Sequence, residues 1–404
     1  MKSVAMKILR RPFAIGALLL AALGSSALVA VHELPGAGPL IANSLRTVIG
    51  IDGVARLEEL AASVEDTAMR LRWQGAAARS LASMSPLITS ANAPASPTEV
   101  ATDSLGSGAR TKSFAPPQVK PPFPEVAAKG DGVWVAVPDP EHPEAPALMY
   151  ETLLHPDPER RWSELFVVAM PTSQVRIAST PGVSKPSTTN PAARGLPNRG
   201  LIPAEEQGSL LAAFNGGFRA EHGHHGMFVD GVLLLPPQAD LCTVAGYADG
   251  TLRIGNYARL AAQSPSPAWF RQAAPCMVED GVLHPGLRDP KARRWGSTLE
   301  GETVIRRSAI ALSQDGSMLY VAVSNFTTAS VLANGMRTAG GWNVSQLDVN
   351  YSFPHFLLFP RDRAGVRHSA SLFKGFLFEP NEMLTEPAAR DFFYVVRRQG
   401  ERRA

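Results

Sequence analysis

Apolar and polar residues alternate along this chain in three successive patterns. The first opens with Lys2, Lys7, Arg10 and Arg11, then runs without a charge from Pro12 to Val31, centred on Leu18–Leu23. A basic start ahead of about 20 apolar residues is what the translocation machinery reads. Cations on the short N-terminal side keep that end in the cytoplasm and send the remainder outward. Residues 1–31 are therefore expected to be a signal peptide or signal anchor of an exported protein. It would be secreted or periplasmic if the segment is cleaved, after Ala27 or Ala30, and membrane-anchored if it is not.

The second pattern is helical. Val54, Leu57, Ala61, Val64, Ala68 and Leu71 recur three and four apart, with Glu58, Glu59, Glu65, Asp66, Arg70 and Arg72 on the other faces. The spacing predicts a helix from Asp52, a suitable N-cap, to about Met84, within an amphipathic segment 32–84. The stripe is narrow and half alanine, so a strong coiled coil is not indicated. A stalk, a weak dimerisation helix, and a helix lying on a membrane or on the main domain remain open. Residues 85–125 turn to Pro, Ser, Ala, Thr and Gly, ending in Pro116, Pro117, Pro121, Pro122 and Pro124, and read as an extended linker.

The third pattern, over 126–398, is one of short strands. Gly132–Val137 alternates, Leu165–Met170 is continuously apolar, and Asp-Gly pairs at 230–231, 249–250, 280–281 and 315–316 sit between apolar runs. Each pair fits a tight hairpin turn with positive φ at its central residues. Met227–Val229 with Val232–Leu235, and Ile310–Leu312 with Met318–Val323, are the clearest hairpins; Leu372–Phe378 and Phe392–Val396 are the last strands expected. Helix signals are confined to Thr327–Thr338 and Pro203–Leu211. The pattern predicts an α+β fold, a beta-rich mixed domain with many hairpins and a few helices, followed by a basic tail at 399–404.

Composition narrows the function classes. At 45% hydrophobic and 19% charged the chain is too apolar to be disordered. Lys+Arg 39 against Asp+Glu 36 leaves +3, without the basic field of a nucleic-acid binder, so no nucleic-acid partner is expected. Two cysteines exclude a disulfide-dense scaffold and a Cys-rich zinc module; Cys242 and Cys276 are either bridged or two buried thiols. Oligomeric state is not legible.

Three blocks carry a family resemblance. They are Leu211–Phe218, which holds Asn215-Gly216-Gly217-Phe218 and is followed by Gly226–Gly231; Arg306–Ala311, leading into Asp315-Gly316; and Ser345–Ser352. In order and spacing, over roughly 130–398, they resemble the phosphodiester glycosidase domain family. Arg219 stands where the family has a second aromatic, Ala311 where it commonly has Gly, and Val349, Asn350 and Tyr351 where it has a run of glycines between Asp348 and Ser352. The resemblance implies an exported hydrolase of a sugar-phosphate linkage in an envelope or extracellular glycan. A catalytically inactive glycan-binding or envelope-organising protein of the same fold is the alternative.

Cleaving a glycosidic phosphodiester at the sugar carbon needs a carboxylate to activate water or attack carbon, and a cation for the phosphate, which leaves readily. Asp348 is the candidate carboxylate, Arg307 the candidate phosphate clamp, and Asn215 a candidate to orient a sugar hydroxyl. Gly216, Gly217, Glu221, Asn350 and Ser352 are candidate substrate contacts. The polar cluster Glu221-His222-Gly223-His224-His225 fits no strong metal signature. His222, His224 and His225 are weak metal candidates, and His225 is also a candidate acid or base. No cofactor is required by the sequence, and a divalent metal is compatible with it.

Overall fold

The computed structural model describes residues 37–73, 76–86, 114–139, 141–142, 145–263, 265–289, 294–296 and 303–398. Segment 1–31, residues 87–113 of the linker and the tail 399–404 lie outside the described residues. The chain divides into two compact units, one ending at Leu57 and one starting at Glu58. No helix among the described residues is long and apolar enough to cross a membrane.

A helix spans Ala37–Arg72 but is broken at Gly50, where φ of 74° and ψ of 178° leave the helical region. Glycine takes that conformation without a Cβ clash. The helix thus begins earlier than Asp52 and ends at Arg72 rather than near Met84; Leu81–Met84 forms a separate single turn. Within the second unit these residues are tied to the β-rich part. Asp66 accepts from Arg160 Nε and Nη2 at 2.8 and 3.0 Å, and Arg79 forks onto Glu164 at 2.7 and 2.6 Å. Leu81 and Met84 are buried, and Ser85 Oγ donates to Glu151 at 2.8 Å.

The body is β-rich with few helices. Eight antiparallel strands form the largest sheet, in the order Val135–Ala136, Tyr150–Leu154, Glu164–Pro171, Met318–Thr327, Ile305–Leu312, Asn343–Val349, Val278–Glu279 and Val282–Leu283. A five-stranded sheet orders Val232–Leu235, Met227–Val229, Trp269–Gln272, Cys242–Gly246 and Leu252–Asn256. Another orders Ala370–Ser371, Phe356–Leu358, Leu210–Asn215, Phe392–Arg397 and Val175–Thr180. One face of the large sheet supplies Phe166, Val168, Ile310 and Val321 to a core shared with Phe214, Phe356 and Phe393 of the last sheet and Val244 of the middle one. Its other face is covered by the helix Ala329–Thr338 through Leu332, Ala333 and Met336. Burial on both faces explains why Leu165–Met170 and Met318–Val323 are continuously apolar instead of alternating.

Several local expectations need correction. Only Asp230-Gly231 and Asp280-Gly281 have positive φ at both residues; at 249–250 and 315–316 only the glycine does, and the connections are longer. Pro203–Leu211 is not an α-helix. Gln207–Ser209 makes a 3-10 turn, and Leu210 and Leu211 open a fully buried strand, where burial outweighs helix propensity. Leu372–Phe378 is not a strand: pairing stops at Ser371, and Leu372, Phe373 and Phe376 enter the core from irregular backbone. The helix at Ala329 is capped by Thr328, whose side chain accepts from Val331 N.

Candidate active site

The strands Leu210–Asn215 and Asn343–Val349 bring two of the three motif blocks together at their ends. Asn215 is fully buried and its Nδ2 donates to Ser308 Oγ at 2.8 Å. Ser308 Oγ in turn donates to the carbonyl of Asp348 at 3.1 Å, and Asp348 N donates to the carbonyl of Gly216 at 3.1 Å. All three motif blocks are therefore joined by one short line of hydrogen bonds.

A bulge decides which side chains face that line. Arg307 pairs with Val349 and Ala309 with Gln346, so the Asn343–Val349 strand carries an extra residue. Because strand side chains alternate, the extra residue switches faces for the residues beyond it. Arg307 and Gln346 share one face, while Ser308 and Asp348 share the other. The Arg307 guanidinium is fully buried and donates to the carbonyls of Thr327, Trp295 and Thr303 at 3.1, 2.6 and 3.0 Å, and to Gln346 Oε1 at 3.1 Å. Burial pulls its pKa down to about 9. The candidate phosphate clamp thus has its donors committed to carbonyls and to Gln346 on the face away from Asp348, where it organises chain segments.

The Asn-Gly-Gly turn is held from behind by an ion pair. Asp391 accepts from Arg271 Nε at 2.7 Å and from Gly217 N at 3.0 Å, and its carbonyl accepts from Gly216 N at 2.9 Å. Arg271 also donates to the carbonyls of Phe218, His225 and Gln272 at 2.6, 2.9 and 3.0 Å. A Cβ on Gly216 would lie 2.2 Å from Asp391 Oδ2, and one on Gly217 2.8 Å from Arg271 Cζ. Here both glycines are required by this packing.

Asp348 itself is buried. Its Oδ2 forms a short ion pair with Arg390 and accepts from Asn350 Nδ2 at 2.9 Å. Burial pushes the carboxyl upward, aided by the nearby Asp391, while the Arg390 charge opposes that shift. Asn350 Oδ1 accepts from Ser352 N and Phe353 N at 3.0 and 2.6 Å, closing the turn. Ser352 is therefore used within the loop. The Tyr351 ring lies over Arg306, 4.7 Å from Cζ, and the Phe353 ring lies over Arg390 at 4.0 Å. His355 donates its backbone N–H to Asn215 Oδ1 at 3.4 Å, and burial drives its imidazole down to about 4.

The histidine cluster divides. His225 turns inward, packs edge-on against Phe218 with centroids 5.2 Å apart, and is held neutral, its pKa lowered to about 3 by burial and the Arg271 charge. The candidate acid or base is thus a buried, uncharged ring behind the Asn-Gly-Gly turn. His222 and His224 are exposed, and Glu221 pairs with Lys185. Among the described residues no three His, Cys, Asp or Glu side chains are grouped to hold a metal. Cys242 and Cys276 are joined by a disulfide.

Sequence reading missed Arg271, Arg390, Asp391 and His355. Three of these left a signal: Arg271 is a lone cation in the strand Trp269–Gln272, and Arg390-Asp391 places opposite charges immediately before a buried strand. A charge at such a place is retained only with a partner.

No family model matches the sequence, and no curated protein matches it. Among solved structures, the chain is similar to the zebrafish N-acetylglucosamine-1-phosphodiester alpha-N-acetylglucosaminidase catalytic domain auto-inhibited by its pro-peptide. Identity there is 14% over 66% of this chain and 88% of that one, with a TM-score of 0.41. A hypothetical protein from Synechocystis is 12% identical over 62% of each chain, with a TM-score of 0.36. Both are distant likenesses of fold.

Proposed function

We propose that this chain is an exported hydrolase that cleaves a glycosidic phosphodiester in an envelope or extracellular glycan, anchored by residues 1–31 or released by their cleavage. The observation that carries the reading is the hydrogen-bonded line Asn215–Ser308–Asp348, which ties the motif blocks to the backbone of the residue that bears the candidate carboxylate. Asp348 accepts a proton from water as the water oxygen attacks the sugar carbon. The bond from that carbon to the phosphate oxygen breaks, and its electron pair leaves with the phosphate. A phosphate leaving group needs no strong acid, which suits a site where His225 stays neutral. The cation for the phosphate comes from the Asp348 face, not from Arg307. The disulfide supports export, since such bonds persist in oxidising compartments.

One observation favours the second reading, a glycan-binding protein without turnover: Asn350 occupies the Asp348 carboxylate directly. Assaying a panel of sugar-1-phosphodiesters, with and without chelator, separates the two. Hydrolysis that disappears in Asp348→Asn supports the hydrolase. Glycan binding with no turnover of any panel member supports the alternative.

A further inference from the structure

Arg306 and Arg390 flank the Asp348 loop, and each carries a buried N–H that meets no acceptor. Arg306 gives Nε to Asn325 Oδ1 at 2.9 Å and Nη2 to the Gly375 carbonyl at 2.7 Å, but its Nη1 has no hydrogen-bond partner. Arg390 gives Nη2 to Asp348, and its Nε is likewise unpartnered. One loop joins the two cations and the imidazole: Tyr351 lies over Arg306, Phe353 lies over Arg390, and the Phe353 ring meets that of His355 edge-on with centroids 5.7 Å apart. Buried donors without acceptors are costly, and guanidinium edges are well matched to the oxygens of a phosphate.

The loop that covers this group touches it in a regular way. Asn350 places its amide on the Asp348 carboxylate, Tyr351 its ring on the Arg306 face, and Phe353 its ring on the Arg390 face. The rings cover the flat faces of the cations and leave edge N–H groups unfilled. We propose that Asn350–Phe353 is a lid over a phosphate subsite formed by Arg306 and Arg390, opened when a phosphate group enters and draws Arg390 away from Asp348. The ligand's identity as a sugar phosphate rests on the hydrolase reading, but capture of the anion does not require turnover. In the closed form the Asn350 amide stands where a ligand donor would meet Asp348. Phosphate entry would therefore release the carboxylate at the moment substrate arrives.

The test is calorimetric titration of the whole chain with inorganic phosphate at low ionic strength. The variant Tyr351→Ala removes the loop's ring from Arg306, where the Phe376 ring stays at 4.3 Å, and Asn350→Gly with Tyr351→Ala removes two of the three loop contacts, leaving Phe353 on Arg390. Opening a lid that hides the competent state should tighten phosphate binding by about tenfold. In that double variant, adding Arg306→Gln or Arg390→Gln should weaken it again by about tenfold or more. A gain in affinity cannot come from misfolding, which keeps the lid variants informative even where an arginine variant folds poorly. Phosphate affinity unchanged by lid removal, or insensitive to both arginines, would overturn the subsite. Binding that responds to the lid in a protein that hydrolyses no phosphodiester keeps the subsite and removes the hydrolase. Hydrolysis with lid-independent phosphate binding does the reverse.

Discussion

Gly216 and Gly217 owe their identity to what lies behind them, the Arg271–Asp391 pair, whose atoms would collide with any Cβ. That pair has side chains no more than 2% exposed, and Asp391 also takes the Gly217 N–H. Removing one partner strands the other charge in a dry site. Asp391→Asn is therefore expected to cost about 3–5 kcal/mol in chemical denaturation, with loss of order in the Asn-Gly-Gly turn. Arg307 presents the opposite case, a buried cation served by carbonyls and a glutamine amide. Arg307→Lys cannot reproduce four diverging donors and should lower stability by about 1–3 kcal/mol. In the folded fraction it should leave phosphate affinity unchanged. Equal loss of phosphate binding in Arg307→Lys and Arg390→Gln would return the clamp to Arg307.

At the scale of elements, Glu151 on the strand Tyr150–Leu154 couples the turn Leu81–Met84 to pH. Among the described residues its carboxylate accepts from Ser85 Oγ alone, and burial raises its pKa from 4.5 to about 7. Unfolded, it titrates near its ordinary value. Below that value both states are protonated and the favourable contribution is complete; as pH climbs through 7 the folded side chain must ionise in place and the contribution is lost. Stability should fall by roughly 3 kcal/mol between about pH 4.5 and 7.5 from this group, and Glu151→Gln should flatten that slope in thermal melts. The element scale is also where sequence was most and least readable. Leu165–Met170, Ile310–Leu312 and Phe392–Val396 were legible because continuous apolar runs fit strands covered on both faces. Pro203–Leu211 was misread because acidic residues ahead of Leu210-Leu211 imitate a helix start, while tertiary burial claims those leucines for a sheet. For the candidate site, local motifs singled out Asn215 and Asp348, which the structure joins through Ser308. The face on which Arg307 lies was not legible, because a bulge at Gln346–Val349 sets it and no local pattern in the sequence announces a bulge.

Over the whole molecule, the disulfide links different layers: Cys242 opens a strand of the middle sheet, and Cys276 stands just before Val278 on the large one. The candidate site depends on how these layers meet, since Arg271 reaches from the middle sheet to Asp391 at the start of the Phe392–Arg397 strand. The crosslink closes 34 residues, and tethering a loop of that length restricts the unfolded chain by about 3–4 kcal/mol. Cys242→Ser with Cys276→Ser should lose stability of that size in denaturant. The substitutions introduce hydroxyls at two buried positions, so reduction of the unaltered protein provides the second arm. Reduced and double-variant proteins should share one lowered midpoint, and alkylation without reductant should leave the mass of the native protein unchanged. A loss confined to the variant, with the reduced native protein as stable as the oxidised one, would assign the effect to buried hydroxyls and remove the crosslink as the tie between layers.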